Sequence, residues 1–350
     1  MAMILLPAVA QAQLSFTTNS GAITITGYNT NGGLNVVIPA TTNGYPVTSI
    51  GNDAFEYSTI TNVTIPNSVT NIGFQAFLFC FSLTGIIIPN SVTSLGDEAF
   101  YDCYKLTSVT LGNNVTHIGS EAFSFTSLTS VTIPNSVTSL GVDTFTLCSG
   151  LTNVTIGNGV TNIPDSAFEG CGLTKVTIPN RVASIGQWAF SGCTNLTGVT
   201  LGNGVTSIGS YAFNRCQALT GVYFQGNSPT PANDMSVFGK SGILTVFDTN
   251  AIAYCLAGAT GWGATFDGIP VVLWNPQAQT GNGSFGVQSN QFCFNLTGSS
   301  NLVIVVEAAT NLTNPVWSPV STNTLTGGTS YFRDPQWTNY PGRFYRLRSP

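Results

Sequence analysis

Apolar residues and small polar residues alternate along the chain in a short pattern that returns many times. In the unit that begins at Leu106, Val109 and Leu111 flank Thr110, which is the spacing of a strand with one buried face. A turn follows, marked by Pro or Gly and then Asn. Pro has no N–H to donate to a strand ladder, and Asn is a common turn residue. A second short apolar segment ends at Ile118. The pattern therefore predicts two short strands in every unit, separated by a turn.

A phenylalanine marks the spacing of the repeat. One unit cannot bury its apolar side alone, whereas stacked units cover one another. Stacking would place equivalent strands about 4.8 Å apart in a parallel sheet. The marker recurs every 22 or 23 residues, at Phe55, Phe77, Phe100, Phe123, Phe145, Phe168, Phe190 and Phe213.

The repeated string resembles a known repeat family. "LTSVTIPNSVTSLG", which begins at Leu128, and "LTKVTIPNRVASIG", which begins at Leu173, resemble the leucine-rich repeat L-x-x-L-x-L and, within it, the BspA-like class. The resemblance extends over about residues 34–228. It implies a right-handed repeat solenoid with a parallel β-sheet on one face and short helical turns on the other. Characterised members of this class act in adhesion, so the resemblance also implies a binding scaffold.

Two turn positions carry specific expectations. Asp or Glu often precedes the Ala-Phe pair, as at Glu98 and Glu121, which suits the free N–H groups at the start of a helical turn. Gly follows the second strand in most units, and we interpret it as a turn residue with positive φ.

The two ends of the chain depart from the repeat. An apolar run before the small-x-small pattern Ala10-Gln11-Ala12 predicts the remnant of a secretory signal peptide, and an apolar N-terminus without meaning is the alternative. Stacked units need caps, because their apolar ends would otherwise face water. The predicted parts are residues 1–12 as the signal peptide remnant, 13–43 as an N-terminal cap, 44–228 as the solenoid and 229–274 as a C-terminal cap.

The C-terminal part predicts a separate domain. Residues 275–283 are polar and rich in turn residues, so they predict a linker. Alternating apolar positions at short intervals in residues 284–350 predict a small all-β sandwich. The segment "VVEAATNLTNPVWSPV" resembles a C-terminal module of many secreted bacterial proteins, which implies a role in export, surface retention or display. The predicted fold class is a leucine-rich repeat solenoid plus a small all-β sandwich domain.

The cysteines follow the repeat as well. Equivalent side chains of stacked units point the same way, which disfavours crosslinks between neighbours, although an exported protein with many cysteines invites a disulfide interpretation. Ser58 and Thr126 fill the same position in two units, and no C-x-x-C pair or histidine partner predicts a metal site. We expect free buried thiols at Cys80, Cys103, Cys148, Cys171, Cys193 and Cys216. The pairing state of Cys255 and Cys293 stays open.

Charge and chemistry exclude several function classes. Charged residues make up 7% of the chain, and its nine Lys and Arg form no basic face of the kind that binds nucleic acid. No internal apolar run approaches the roughly 20 residues of a membrane span, so we expect no membrane insertion. His117 is the only histidine, and no Ser-His-Asp or Cys-His set can be assembled without a second one. The sequence predicts no catalytic, cofactor-binding or metal-binding residue, and hence no enzyme.

Residues that flank the central apolar position of each strand should face solvent. They would form a neutral strip rich in hydroxyl groups, although Thr is also simply a good exposed strand residue. The candidate ligand-binding residues are Thr110, Thr132, Thr155, Thr177, Thr200, Tyr223 and Lys175. A further threonine column, from Thr61 to Thr220, is expected to bond the backbone where each strand begins.

These observations favour a secreted or cell-surface bacterial protein that engages a protein or a glycan along the sheet, without a cofactor. Two alternatives stay open. The protein could be a structural matrix or spacer without a defined ligand, or its C-terminal module could carry the binding. The oligomeric state and the ligand are not predicted.

Overall fold

The computed structural model describes residues 13–29, 34–231, 236–239, 250–281, 283–300 and 302–348. The predicted signal peptide remnant, residues 1–12, lies outside these residues. The described part of the chain contains no α-helix, and a short 3-10 turn spans Trp337–Asn339. Within that same part, no helix is long and apolar enough to cross a membrane.

The regular secondary structure of the described residues consists almost entirely of β-strands. The strands of the repeat region and its ends are β1 (Leu14–Asn19), β2 (Ala22–Tyr28), β3 (Asn35–Val37), β4 (Thr41–Thr42), β5 (Tyr45–Ile50), β6 (Asn62–Thr64), β7 (Asn71–Ile72), β8 (Gly85–Ile87), β9 (Ser94–Leu95), β10 (Ser108–Thr110), β11 (His117–Ile118), β12 (Ser130–Thr132), β13 (Ser139–Leu140), β14 (Asn153–Thr155), β15 (Asn162–Ile163), β16 (Lys175–Ile178), β17 (Ser184–Ile185), β18 (Gly198–Leu201), β19 (Ser207–Ile208), β20 (Gly221–Phe224), β21 (Thr230–Pro231), β22 (Ile252–Leu256), β23 (Thr265–Phe266) and β24 (Ile269–Trp274). The C-terminal module contains β25 (Gln277–Gln279), β26 (Gly286–Gln288), β27 (Gln291–Thr297), β28 (Val303–Ala309), β29 (Ser318–Thr324), β30 (Thr329–Asp334) and β31 (Phe344–Arg348).

The first strand of each unit joins a long parallel array, as the repeat predicted. Neighbours pair in register, so that Thr132 lies beside Thr155 and Thr177 beside Thr200. Each position of the repeat therefore becomes a column along the solenoid. We call the solvent side of this array the sheet face. Its strands are β3, β6, β8, β10, β12, β14, β16, β18 and β20, and β22 and β24 continue it past the last repeat.

A second parallel array runs along the solenoid, formed by the second strand of each unit. It comprises β5, β7, β9, β11 and β13, and then β15, β17, β19 and β21. At the N-terminal end, β1 and β2 form an antiparallel hairpin, and β2 pairs in parallel with β5. The hairpin covers the strand edge that the first unit would otherwise present to solvent.

The turns on the third side of the solenoid bond both within themselves, as from the N–H of Tyr101 to the carbonyl of Glu98 at 3.1 Å, and to the next unit, and the described residues form no α-helix there. The N–H of Phe77 donates to the carbonyl of Ala99, and the N–H of Phe100 to that of Ala122, both at 2.8 Å. The expected helical turns are therefore replaced by a third hydrogen-bonded ladder. The acidic position before the Ala-Phe pair is also not a helix start, because Glu98 and Glu121 both have a φ of +55°.

The glycines after the second strand serve close packing, and the predicted positive φ is wrong for them. Neither Gly96 nor Gly209 has a positive φ. A Cβ atom on Gly96 would lie 2.5 Å from the backbone nitrogen of Phe74 in the preceding unit, a distance that real Cβ atoms do not adopt. Gly allows the backbones of successive units to approach each other closely.

The marker phenylalanines form a continuous stack through the core. All eight are at most 1% exposed. Centroids of successive rings lie 4.9–5.5 Å apart, and the ring planes deviate by 4–8°. Phe238 extends the stack beyond the repeats, at 5.8 Å from Phe213. The sequence pattern predicted this alignment, and the structure confirms it.

The C-terminal module consists of small antiparallel sheets. One contains β25, β27, β26 and β30, and the other has the order β29–β28–β31. Phe294, Leu296, Ile304, Val306 and Phe332 are buried in one apolar cluster between them. The resemblance of this region to modules of secreted bacterial proteins stays a prediction.

The module contacts the end of the solenoid directly. Its apolar cluster includes Tyr223 and Tyr254 of the sheet face, and the Ser299 hydroxyl donates to the carbonyl of Leu273 at 2.7 Å. Residues 275–283 are therefore not a free linker, because β25 lies within them and pairs antiparallel with β27. The predicted domain boundaries stay predictions.

Candidate functional site

The sheet face carries the predicted strip of threonines over its central strands. Thr110, Thr132, Thr155 and Thr177 are exposed, and each alternates with a largely buried apolar neighbour on its strand. Lys175 is exposed beside them. Within the described residues, no hydrogen bond engages the hydroxyls of these four threonines, so they can accept and donate bonds to a ligand.

Shallow depressions lie between neighbouring strands of this face. One of about 420 Å³ is lined by Asn153, Thr155, Lys175 and Thr177. Val154, Ile156, Val176 and Pro179 line it as well, so a ligand here would meet hydroxyl and amide groups, one ammonium group and an apolar floor.

Two of the candidates, Thr200 and Tyr223, are not exposed as predicted. Thr200 is half-buried, and Tyr223 is only 8% exposed. The ring of Tyr223 stacks on that of Tyr254, with centroids 4.8 Å apart, and the C-terminal module packs over both. Tyr223 was wrong as a solvent-exposed strip residue because the module covers this end of the sheet face.

A pocket of about 370 Å³ lies at the junction of the sheet face and the module, and we call it the end pocket. Tyr223, Tyr254, Trp274, Leu347 and Arg348 contribute to its lining. The indole N–H of Trp274 is buried without a hydrogen-bond partner. Pockets of this size at domain junctions commonly bind ligands, and the aromatic lining suits a ligand with apolar faces.

Ion pairs fix the edge of the module beside this pocket. The buried Glu307 carboxylate accepts from Arg346 at 2.7 Å and from Arg348 at 2.6 Å. Burial would raise the pKa of Glu307, but the hydrogen bonds from Arg348 and Arg346 outweigh it and lower that pKa below its ordinary value. These arginines are therefore paired side chains and not a free basic cluster.

The other threonine column serves the backbone, as predicted. The Thr107 hydroxyl donates to the carbonyl of Thr84 at 3.1 Å, and the Thr197 hydroxyl to that of Thr174 at 2.9 Å. The same bond recurs from Thr84 to Thr220. The two threonine columns therefore differ in their hydrogen bonds, because the hydroxyls of this column donate to the backbone of the neighbouring unit.

The cysteine column is free and buried, in agreement with the expectation. All eight cysteines are unpaired, Cys255 and Cys293 included. In the repeats each thiol donates to the carbonyl of the marker Phe in the preceding unit, as from Cys193 to Phe168 at 3.2 Å. Burial raises the pKa of Cys148 to about 11 and that of Cys193 to about 12, so these thiols stay protonated and unreactive.

His117 and the acidic position before Ala-Phe both lie within the repeat structure. His117 is half-buried in β11, between Ser94 and Ser139 of the neighbouring strands. Among the described residues, no group of three His, Cys, Asp or Glu side chains could hold a metal ion.

Sequence analysis missed a second surface, on the turn side of the solenoid. Neighbouring rings in it lie 4.9–5.8 Å apart and connect four successive units. The available signal was the position two residues after the marker Phe, which holds Gly170 and Gly192 in two units but aromatic residues in others. We call this group the aromatic flank, and it comprises Tyr57, Phe79, Phe81, Tyr101, Tyr104 and Phe125.

Comparisons with known proteins identify the repeat. The sequence model of the BspA type leucine rich repeat region matches residues 35–151 and 116–235, in six copies. A solved structure of a leucine rich cell surface protein from Faecalibacterium prausnitzii A2-165 is 32% identical, with a TM-score of 0.52, over 63% of this chain and 70% of that chain. The structure of the T. pallidum leucine rich repeat protein is 29% identical, with a TM-score of 0.49, over 61% of this chain and 90% of that chain. No curated protein matches the chain.

Proposed function

The chain belongs to the BspA-type leucine-rich repeat family, and we propose that it is a non-enzymatic scaffold at the cell surface or outside the cell that binds a protein or glycan along its sheet face. The protein from Faecalibacterium prausnitzii is described as a cell surface protein, which supports this location. The apolar N-terminus supports export in the same way.

The contrast between the two threonine columns carries the proposal. Thr107 and its equivalents give their hydroxyls to the neighbouring unit, and the fold therefore accounts for them. Thr110 and Thr132 give theirs to no other described residue, and they stand in register on an exposed sheet. A rigid array of unengaged hydroxyls is pre-organised for hydrogen bonding to a partner, which lowers the entropy cost of binding.

The test introduces charged, larger side chains at three exposed threonines of the sheet face and leaves the buried residues unchanged. The variant Thr132→Lys/Thr155→Lys/Thr177→Lys should lose retention on the cells or glycans that the wild-type protein binds, at an unchanged melting temperature. The matched control is Ser139→Lys/Asn162→Lys/Ser184→Lys, which adds the same charge to the second strands of the same units. Retention by the strip variant equal to that of the control would refute the sheet face as the binding site.

The end pocket supports a second candidate, in which the ligand binds at the junction with the module. The unpartnered indole N–H of Trp274 and the stacked rings of Tyr223 and Tyr254 favour it. Truncation at Asn275 would expose these rings, so a point variant is the cleaner test. Loss of retention in Trp274→Phe, with the strip variant unaffected, would favour this pocket.

The remaining alternative is a spacer protein without a defined ligand. Glycan arrays and whole-cell pull-downs that stay blank with folded wild-type protein would favour it over both binding sites.

A further inference from the structure

We propose that the aromatic flank, formed by Tyr57, Phe79, Phe81, Tyr101, Tyr104 and Phe125, is a docking surface for a lysine- and arginine-rich segment of a partner protein. This surface lies on the turn side of the solenoid and is separate from the sheet face. The inference therefore goes beyond the proposed function and does not depend on it.

The backbone at this surface is strained. Tyr57, Phe79 and Phe125 have φ values of +54°, +55° and +58°. A residue with a Cβ atom in this left-handed region costs about 1–2 kcal/mol, and bulky residues adopt it only exceptionally. Gly170 and Gly192 occupy the equivalent position at φ +67° and +71°, so the turn itself needs no side chain. Asp102, Leu147 and Arg215 share this backbone conformation in other units, so the left-handed φ belongs to the turn of the repeat, and the flank is distinguished by the aromatic side chains placed on it.

Four of the six rings of the flank are exposed although they contact one another, and the other two are half-buried. Tyr57 is 59% exposed and Phe125 is 40% exposed, whereas the marker phenylalanines two residues earlier are fully buried. Tyr104 and Phe81 widen the exposed apolar area, with ring centroids 5.3 Å apart. Connected apolar patches on a protein surface mark interaction sites more often than isolated exposed residues do.

The charge around the rings determines the chemistry of the partner. Residues 53–143 contain seven acidic residues and one basic residue, Lys105. Burial raises the pKa of the Tyr101 phenol, and the carboxylates of Glu121, Asp102 and Glu98 raise it further. Asp102 also follows Tyr101 directly in the chain, and Glu56 directly precedes Tyr57, so carboxylates border the flank.

The acids also repel one another. Burial raises the pKa of Glu121, and the charges of Glu98, Asp143 and Asp97 add to the shift. Glu98 accepts a hydrogen bond from the Gln75 amide at 2.8 Å, but no salt bridge among the described residues engages these carboxylates, so a cationic partner would neutralise their charge.

Lysine and arginine match both properties of the flank. Their cationic heads stack on the faces of Tyr and Phe rings and pair with carboxylates. Their aliphatic stems cover the ring edges. A neutral glycan would leave the acids unpaired, and an acidic segment would be repelled.

The test uses the full chain and a short fluorescent peptide in which arginine alternates with leucine. The matched peptide carries citrulline in place of arginine, which keeps the shape and removes the charge. Fluorescence anisotropy gives the affinities. We expect the arginine peptide to bind more tightly than the citrulline peptide, and its affinity to fall with rising salt.

The protein variant Tyr57→Gly/Phe125→Gly removes two exposed rings and relieves strain at both positions, so it should fold. It should lose affinity for the arginine peptide by roughly tenfold, the size of two exposed cation–π contacts. The control Arg215→Gly relieves the same strain at φ +57° outside the flank and should lose none.

Equal affinity of the double variant and Arg215→Gly would overturn the proposal, as would equal binding of the two peptides. A wild-type dimer that Tyr57→Gly/Phe125→Gly converts to a monomer would also overturn it, because the flank would then be a contact between copies of this chain.

Discussion

Phe123 and Phe125 lie two residues apart in one turn, yet the structure places them in opposite situations. Phe123 is fully buried between Phe100 and Phe145, at ring distances of 5.3 and 5.5 Å. Phe125 is 40% exposed, has a left-handed backbone and contacts the ring of Tyr101 at 5.4 Å. The same residue type therefore fills the core at one position and lies partly exposed on the surface at the other. The comparison separates side chains that stabilise the solenoid from side chains that the solenoid exposes on its surface.

The largest expected effect comes from the buried side of this comparison. Phe123→Ala should lower the free energy of unfolding by about 3–5 kcal/mol, because it opens a cavity in the middle of the stack. Urea unfolding followed by circular dichroism measures it. A loss below about 1 kcal/mol would mean that the stack is not what holds successive units together.

A pair of threonine variants in one unit tests the same division on the sheet side. Thr107→Val removes a hydroxyl that bonds the carbonyl of Thr84 and should cost about 1 kcal/mol. Thr110→Val removes an unengaged hydroxyl and should cost almost nothing, since Val is also a good strand residue. Equal melting temperatures of the two variants would contradict the distinction between the columns.

The smallest effect concerns the charge beside the flank. The folded-state pKa of Glu121 is raised, so its protonated form favours folding and its ionised form opposes folding as the pH rises through that pKa. Glu121→Gln should therefore stabilise the protein slightly at neutral pH and change nothing below the ordinary glutamate pKa. Unfolding curves at the two pH values check this, and destabilisation at neutral pH would show that Glu121 has a structural partner.

The sequence predicted most of the buried structure, because burial repeats with the period of the chain. The phenylalanine stack, the free thiols and the backbone-bonding threonines all follow from columns of identical residues. The hydrogen bonding of the turns could not be predicted from the sequence. An acidic residue before Ala-Phe is compatible both with the start of a helix and with a turn of positive φ.

The departures from the repeat were harder to interpret and carry most of the candidate function. Tyr223 replaces Thr at the end of a column, and only the packing of the module shows that it is covered. In the sequence, the aromatic residues with positive φ look like ordinary substitutions at a variable position of the repeat. The sequence does not show the backbone conformation of that position. The glycines Gly170 and Gly192 at the same position were the one indication in the sequence that this position has a positive φ.

The most direct test of the central distinction is the unfolding free energy of Phe125→Gly, measured in urea beside the wild-type protein. If the exposed ring is kept for a partner, relief of the left-handed strain leaves the variant as stable as the wild type or more stable by up to about 1 kcal/mol. A loss of about 2 kcal/mol or more would show that the aromatic flank is a second structural stack, and the division between the two columns of rings would be wrong.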